Sequence, residues 1–413
     1  MEKVVGYQCS VCQTEYTLEE VTYTCPKDGG VLDVVMAIDF IQSHVQIKDI
    51  QASSEFSMWR YLPLLPVSDP GHSQTPLRSV GWTPVYRPVR LAEQLGMNAL
   101  WLKDESSNPS ASFKDRASAL LVARAAEIGA EVVVTASTGN AGAALAGMAA
   151  ATGQKAVIFA PKTAPPAKVA QLLVYGSQVI LVDGNYDDAV ALAVAAADEY
   201  GWYCRNTGYN PFTAEGKKTA ALEIWEQVLL ANQVDQPLNV FVPVGDGNII
   251  SGIHKGFKDL LALGWLDHMP RIFGVQSVGS AAIANAYFSG TEEINPVSAS
   301  TLADSISVDM PSDGLRALRA ATQTGGAYVV VQDEAILQAI ASLGRVGVFS
   351  EPAAATAYAG LQKALDEGLL TSDEPTLVLL TGSGLKDVKA AMQAAGEAPV
   401  IAPNLQALNE FFK

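Results

Sequence analysis

The chain has 413 residues, 49% of them hydrophobic, and its 43 acidic against 27 basic side chains give a net charge of −16. That length accommodates two domains with sizeable cores, and the acidic balance argues against nucleic acid or an anionic membrane as partner. The first residues, MEKVVGYQCS, carry no apolar stretch of a secretion signal, and four cysteines, three of them within the first 25 residues, make no disulfide framework, so a cytoplasmic protein is expected.

Residues 1–38 read as a small module of two short hairpins around Cys9-x2-Cys12 and Cys25-Pro-Lys-Asp28. Two C-x2-C knuckles at this separation would make a zinc ribbon, because zinc prefers four tetrahedral sulfur or nitrogen ligands. Cys9, Cys12 and Cys25 supply three, but Asp28 holds the fourth position, which is a weaker set. An aspartate ligand and a metal-free relic both stay open. Positions 39–88 read as an irregular arm, too rich in proline for regular helix and too aromatic for disorder.

Positions 99–102 (ALWL) are a short apolar run that predicts a buried strand. The turn Asn108-Pro109-Ser110 follows, with Ser110 or Ser112 available as an N-cap, and positions 117–128 have helical apolar spacing. Lys114 stands at the start of that helix, where the partial positive charge of the dipole disfavours an ammonium. It is either a solvated surface lysine or one destabilised on purpose, so that a neutral amine can condense with a carbonyl.

Further on, VVVTAS, KAVIFA, QVILVDG, LNVFVPV, RIFGVQS and TLVLLTG are near-continuous apolar runs, several of them separated by alanine-rich helical segments. This alternation predicts an α/β protein with parallel, doubly wound sheets, whose ligands collect at the carboxyl ends of strands. The longest apolar stretch, 132–151, is interrupted by polar residues and glycines and reads as strand, loop and helix, not a membrane span. Its loop, Ser137-Thr138-Gly139-Asn140-Ala141-Gly142, offers hydroxyls and N–H groups to an anion at a helix N-terminus; a dinucleotide fingerprint is not matched. Gly245-Asp246-Gly247-Asn248, between strand and helix, is either a phosphate cradle or an ordinary turn. Thr381, at the end of a strand, is either a helix cap or a ligand group, and Cys204 reads as a buried small hydrophobe.

In order and spacing, WRYLPLLP, VGWTPV, WLKDESSNPSASFKDR, ASTGNAGAALAG, NPFTAEGKKTAALEIWEQ and LLTGSGLKD resemble the fold-type II pyridoxal-phosphate enzymes, and among them the threonine synthases. A ribbon ahead of such a body belongs to the same arrangement. The resemblance implies a fold like the tryptophan synthase β subunit: two doubly wound α/β domains around a cofactor cleft. The large domain would comprise 39–113 and 211–413, with the arm, and the small one 114–210, beside the ribbon at 1–38. It implies that Lys114 forms the Schiff base with pyridoxal 5'-phosphate and that Asn140 bonds the ring hydroxyl oxygen. Gly245, Asp246, Gly247, Asn248 and Ile249 would cradle the cofactor phosphate, and Thr381 would meet the pyridine nitrogen. Ser137, Thr138 and the amides around Asn140 and Ala141 would hold the substrate carboxylate.

The activity so implied is that of a lyase turning O-phospho-L-homoserine and water into L-threonine and phosphate, in a homodimer acting on a small-molecule amino acid. A threonine or serine dehydratase, a cysteate-synthase-like β-replacement enzyme and a non-catalytic cofactor-binding homologue are the alternatives. Two departures stand out. Ala111 occupies a position where the family commonly has glycine, and neither Thr213 nor Ala214 is the arginine that commonly grips the substrate phosphate. Lys218 and Arg116 are the expected replacements, with Lys217 and Arg78 behind them.

Overall fold

The computed structural model describes residues 3–413, so the first two positions of the 1–38 segment lie outside the described residues. Strands β1 (Val4–Cys9), β2 (Glu15–Tyr16) and β3 (Leu32–Met36) form one antiparallel sheet in the order β2-β1-β3. The two hairpins around Cys9–Cys12 and Cys25–Asp28 are joined through this sheet: Tyr7 faces Tyr16 on one side and Val34 on the other, and Thr24 pairs with Val31 across the second turn. Leu32, Val34 and Met36 are buried at the two-residue period of a strand with one face on the core.

The following arm is more regular than its prolines suggest. It opens with short helices at Ile38–His44 and Ile47–Gln51 and continues in 3-10 turns at Met58–Leu64 and Pro76–Ser79. Short turns of this kind accommodate proline at their first positions, as at Pro76. The aromatic residues explain why the arm is ordered: Trp59 and Tyr61 are buried in the main core.

Strand β4 (Val85–Tyr86) pairs antiparallel with β5 (Leu100–Asp104) at the edge of a six-stranded sheet. The chain then leaves for a second, four-stranded sheet. Its strands β6 (Val132–Ala136), β7 (Lys155–Pro161), β8 (Gln178–Val182) and β9 (Tyr203–Cys204) are all parallel, in the order β8-β7-β6-β9. The chain returns to the first sheet with β10 (Asn239–Pro243), β11 (Arg271–Ser277), β12 (Tyr328–Val331) and β13 (Thr376–Leu380). The order there is β12-β11-β10-β13-β5-β4, parallel except for β4.

Every residue of β5, β6, β10 and β13 is buried, as a sheet covered by helices on both faces requires. Strand β8 departs from the expectation of a buried run: it is an edge strand with no fully buried residue. The helix after β5 begins at Lys114 and runs to Glu127, without a side-chain cap. Ser110 does not cap it; its N–H and Oγ both donate to the Asp115 carboxylate at 2.6 Å. No helix among the described residues is long and apolar enough to cross a membrane.

Candidate active site

The turns that follow β5, β6, β10 and β13 meet at one cleft of about 410 Å³, to which they bring Lys114, Asn140, Gly245 and Thr381. Lys114 is half-buried at the first position of its helix. Its turn is fixed against the end of β13, because the Phe113 N–H donates to the Thr381 carbonyl at 2.8 Å and Ser112 bridges to Gly382.

Asn140 opens the helix Asn140–Thr152. Its Nδ2 donates to Glu351 Oε1 and Oε2 at 3.0 and 3.1 Å, tying the small sheet to the large one across the cleft. Burial raises the Glu351 carboxyl above the usual range, against the opposing pull of the Asn140 amide and of Lys386 and Lys114. Ser137 is buried and its Oγ accepts the Gly139 N–H at 3.2 Å, while Ala141 is half-buried. Thr138 faces an adjoining cleft of about 440 Å³ that also carries Lys168, Gln171 and Lys386.

The turn after β10 depends on glycine. Gly247 has φ +92°, and a Cβ there would stand 2.6 Å from the Asp313 carbonyl oxygen. The turn delivers the N-terminus of the helix Asn248–Ala262; the Asn248 N–H donates to Asp246 Oδ1 at 3.1 Å, and the helix dipole favours an anion at this end. Ile249 lines the cleft, whereas the Asn248 side chain is held by Lys217 Nζ at 2.6 Å and by Asp313 Oδ2 at 2.7 Å. Burial works to raise the Asp246 carboxyl, but the charges of Lys114 and Lys217 hold it below its ordinary value.

Two residues expected to grip the substrate, Arg116 and Lys218, do not line the cleft. Arg116 is fully buried between Glu105 (Nε–Oε2 2.7 Å) and Glu223 (Nη1–Oε1 2.5 Å). Lys218 is fully buried between Glu215 at 2.5 Å and Asp259 at 2.8 Å. Buried charges require such partners, so both side chains are committed to the core. Arg78 pairs with Asp69 and Glu55. Sequence reasoning missed Glu351: an acid just before Pro352 at a helix start is common enough to carry no signal.

In the ribbon, Cys9, Cys12, Cys25 and Asp28 bring one ligand atom each within 4.8 Å of all the others. Cys12 Sγ lies 3.7 Å from Cys25 Sγ, and Cys9 Sγ lies 3.4 and 3.6 Å from the two Asp28 oxygens. The Gly30 N–H donates to Asp28 Oδ1 at 2.8 Å and the Val11 N–H to Cys9 Sγ at 3.3 Å, which orients both ligands.

Residues 77–382 match the pyridoxal-phosphate dependent enzyme family. The chain is 39% identical to a threonine synthase of Methanocaldococcus jannaschii, over 98% of this chain and 99% of that one. A threonine synthase of Methanosarcina acetivorans is 37% identical over 98% and 97%. Among solved structures, the processed threonine deaminase isoform 2 of Solanum lycopersicum matches with a TM-score of 0.66 at 24% identity, over 81% of this chain and 97% of that one. Maize serine racemase matches with a TM-score of 0.64 at 24% identity, over 80% and 94%. These two likenesses concern the fold.

Proposed function

The chain belongs to the pyridoxal-phosphate-dependent enzymes, within them to the threonine synthase family, and from that premise we propose that it is a lyase converting O-phospho-L-homoserine and water to L-threonine and phosphate. The carrying observation is the meeting of Lys114, Asn140, the glycine turn and Thr381 at one cleft, in a chain aligned with a threonine synthase over 98% of its length. The dehydratase alternative is not favoured, since the likeness to threonine deaminase is one of fold at 24% identity.

The residues suit the cofactor: an amine, an amide donor, a glycine turn at a helix N-terminus and a neutral hydroxyl share one cleft. Pyridoxal phosphate, when bound, supplies the electron withdrawal that loosens protons on a substrate amino acid. Lys114 Nζ would hold the cofactor at rest, and its free amine would take and return the substrate's protons as the general base. The turn at 245–249 would hold the cofactor phosphate, and the Asn140 amide would orient the ring. Thr381 would offer the ring nitrogen a neutral hydroxyl, where a carboxylate would enforce its protonation. Ser137, Thr138 and the amides at Asn140 and Ala141 bind the substrate carboxylate.

The ribbon cluster is read as a structural zinc site with Asp28 as fourth ligand. Zinc–ligand bonds of about 2.3 Å to sulfur and about 2.0 Å to oxygen give tetrahedral edges of roughly 3.8 Å and 3.5 Å. The 3.7 Å between Cys12 and Cys25 and the 3.4–3.6 Å between Cys9 and Asp28 fit those edges. A cytoplasmic homodimer belongs to the same proposal: Leu405, Phe411 and Phe412 stand exposed, apolar area that a second subunit would cover.

The test is product stoichiometry. Purified holoenzyme given O-phospho-L-homoserine should release threonine and inorganic phosphate in equal amounts. Deamination of threonine or serine at comparable efficiency, with no phosphate released, would refute the reading.

A further inference from the structure

Eight lysine and arginine side chains are buried among the described residues. Six of them, Arg60, Lys103, Arg116, Lys218, Lys255 and Arg316, are ion-paired with buried or partly buried carboxylates. Among the described residues, Lys217 and Arg205 form no ion pair. Lys217 Nζ donates to the neutral Asn248 Oδ1 at 2.6 Å, which uses one of its three protons. Arg205 donates from Nε to Ser118 Oγ at 3.3 Å and from Nη1 to Thr207 Oγ1 at 2.9 Å, while its buried Nη2 has no partner.

Both cations are tied to helices that build the proposed cofactor cleft. Arg205 follows β9 at the carboxyl end of the small sheet. Ser118, which it touches, lies four residues after Lys114 and so one turn along the same helix face. Lys217 ends the helix Phe212–Lys217 and reaches the first residue of the helix behind the glycine turn. The charge of Arg205 bears on Lys217, and both feel Asp246. Burial lowers both, Arg205 to about 10, and for Lys217 the charge of Lys114 adds to the effect. Buried cations with no carboxylate in direct contact are unfavourable by themselves, and a bound anion offsets that cost.

We propose that Lys217 and Arg205 are the seat of the substrate's phosphate monoester, in place of the arginine absent at Thr213 and Ala214. The inference rests on the reading of the chain as an enzyme for a phosphorylated amino acid. A dianion matches two cations, and the unpartnered edge of the guanidinium plus the two remaining ammonium protons give charge-assisted donors. The cofactor's own phosphate has the same chemistry, but the amides of the glycine turn already serve it.

The experiment measures binding of inorganic phosphate to holoenzyme by equilibrium dialysis, together with KM for O-phospho-L-homoserine and cofactor occupancy from visible absorbance. Arg205→Gln and Lys217→Gln should each weaken phosphate binding and raise KM about tenfold or more, as expected for loss of a charge-assisted contact. Arg205→Lys should recover part of that loss, and cofactor occupancy should stay within about twofold in all three. Should Arg205→Gln fail to fold, Lys217→Gln decides the matter. Loss of cofactor with unchanged phosphate binding would assign the seat to the cofactor and overturn the proposal. Loss of phosphate binding in Lys386→Gln, with both other variants unaffected, would overturn it too. If wild-type enzyme binds phosphate here yet does not turn over O-phospho-L-homoserine, the functional reading fails while the anion seat stands.

Discussion

Asn140, which opens the helix after β6, and Glu351, which precedes a helix of the large sheet, meet across the cleft with Nδ2 3.0 Å from Oε1 and 3.1 Å from Oε2. Glu351 is also wedged against the turn after Thr381, where a Cβ on Gly382 would stand 2.3 Å from its Oε1. One buried carboxyl thus touches two of the elements that define the cleft. Glu351→Gln keeps the shape but turns one acceptor into a donor facing the Asn140 amide. Hydrogen bonds to charged groups contribute about 1.5–3 kcal/mol, so kcat/KM should fall roughly ten- to hundredfold with cofactor still bound. Steady-state kinetics beside the absorbance spectrum check this; an unchanged kcat/KM would dismiss the pair as incidental.

Ala111, in the turn before Lys114, has φ +61°, a left-handed conformation that costs an L-residue about 1 kcal/mol. Ala111→Gly should relieve that strain and raise the thermal midpoint, less the larger unfolded-state entropy of glycine. A lower midpoint would mean that the alanine methyl contributes packing worth more than the strain.

The ribbon is docked by an ion pair with the body. Asp33 lies 2.5 Å from Arg316, which in turn holds Asp313 at 2.5 Å. Burial alone would raise the Asp33 carboxyl, but Arg316, Lys258 and Lys255 outweigh it and hold the value at about 2. A folded value below the unfolded one means the native state resists protonation. The stabilisation is complete above the ordinary aspartate range, about pH 4, and is lost as pH falls towards 2. Asp33→Asn should therefore lower stability at neutral pH and flatten the acid limb of a denaturation series. An acid limb identical to wild type would show that the pair contributes nothing.

Zinc should accompany the purified protein at about one ion per chain, a closed four-ligand site being hard to strip. Asp28→Ala and Cys12→Ser should lose the metal and lower the unfolding midpoint, with the cofactor's absorbance retained. Elemental analysis decides it: no zinc after refolding in excess metal would mark the cluster as a metal-free relic.

The strands and turns of this site were legible in the sequence because their signals are local. Apolar runs such as β6 and β10 are buried from end to end, and glycine or asparagine at a strand-to-helix junction announces a helix N-terminus. The state of each cation was not legible. The partners of Arg116 lie 11 and 107 positions away, and nothing near Lys218 announces Asp259, 41 positions on. Tertiary pairing alone separates a structural lysine from one free to meet a ligand. The N-cap expected from Ser110 failed for a related reason: Asp115 offers its hydroxyl a charged acceptor, a stronger partner than a helix N–H.

Most of the account hangs on Lys114. Borohydride reduction of the purified holoenzyme, followed by peptide mass mapping, asks directly which amine holds the cofactor. A single reduced adduct on Lys114 is predicted, with Lys103 and Lys218 unmodified in their buried ion pairs. An adduct on Lys103, Lys217 or Lys218, with Lys114 unmodified, would contradict the assignment of the site.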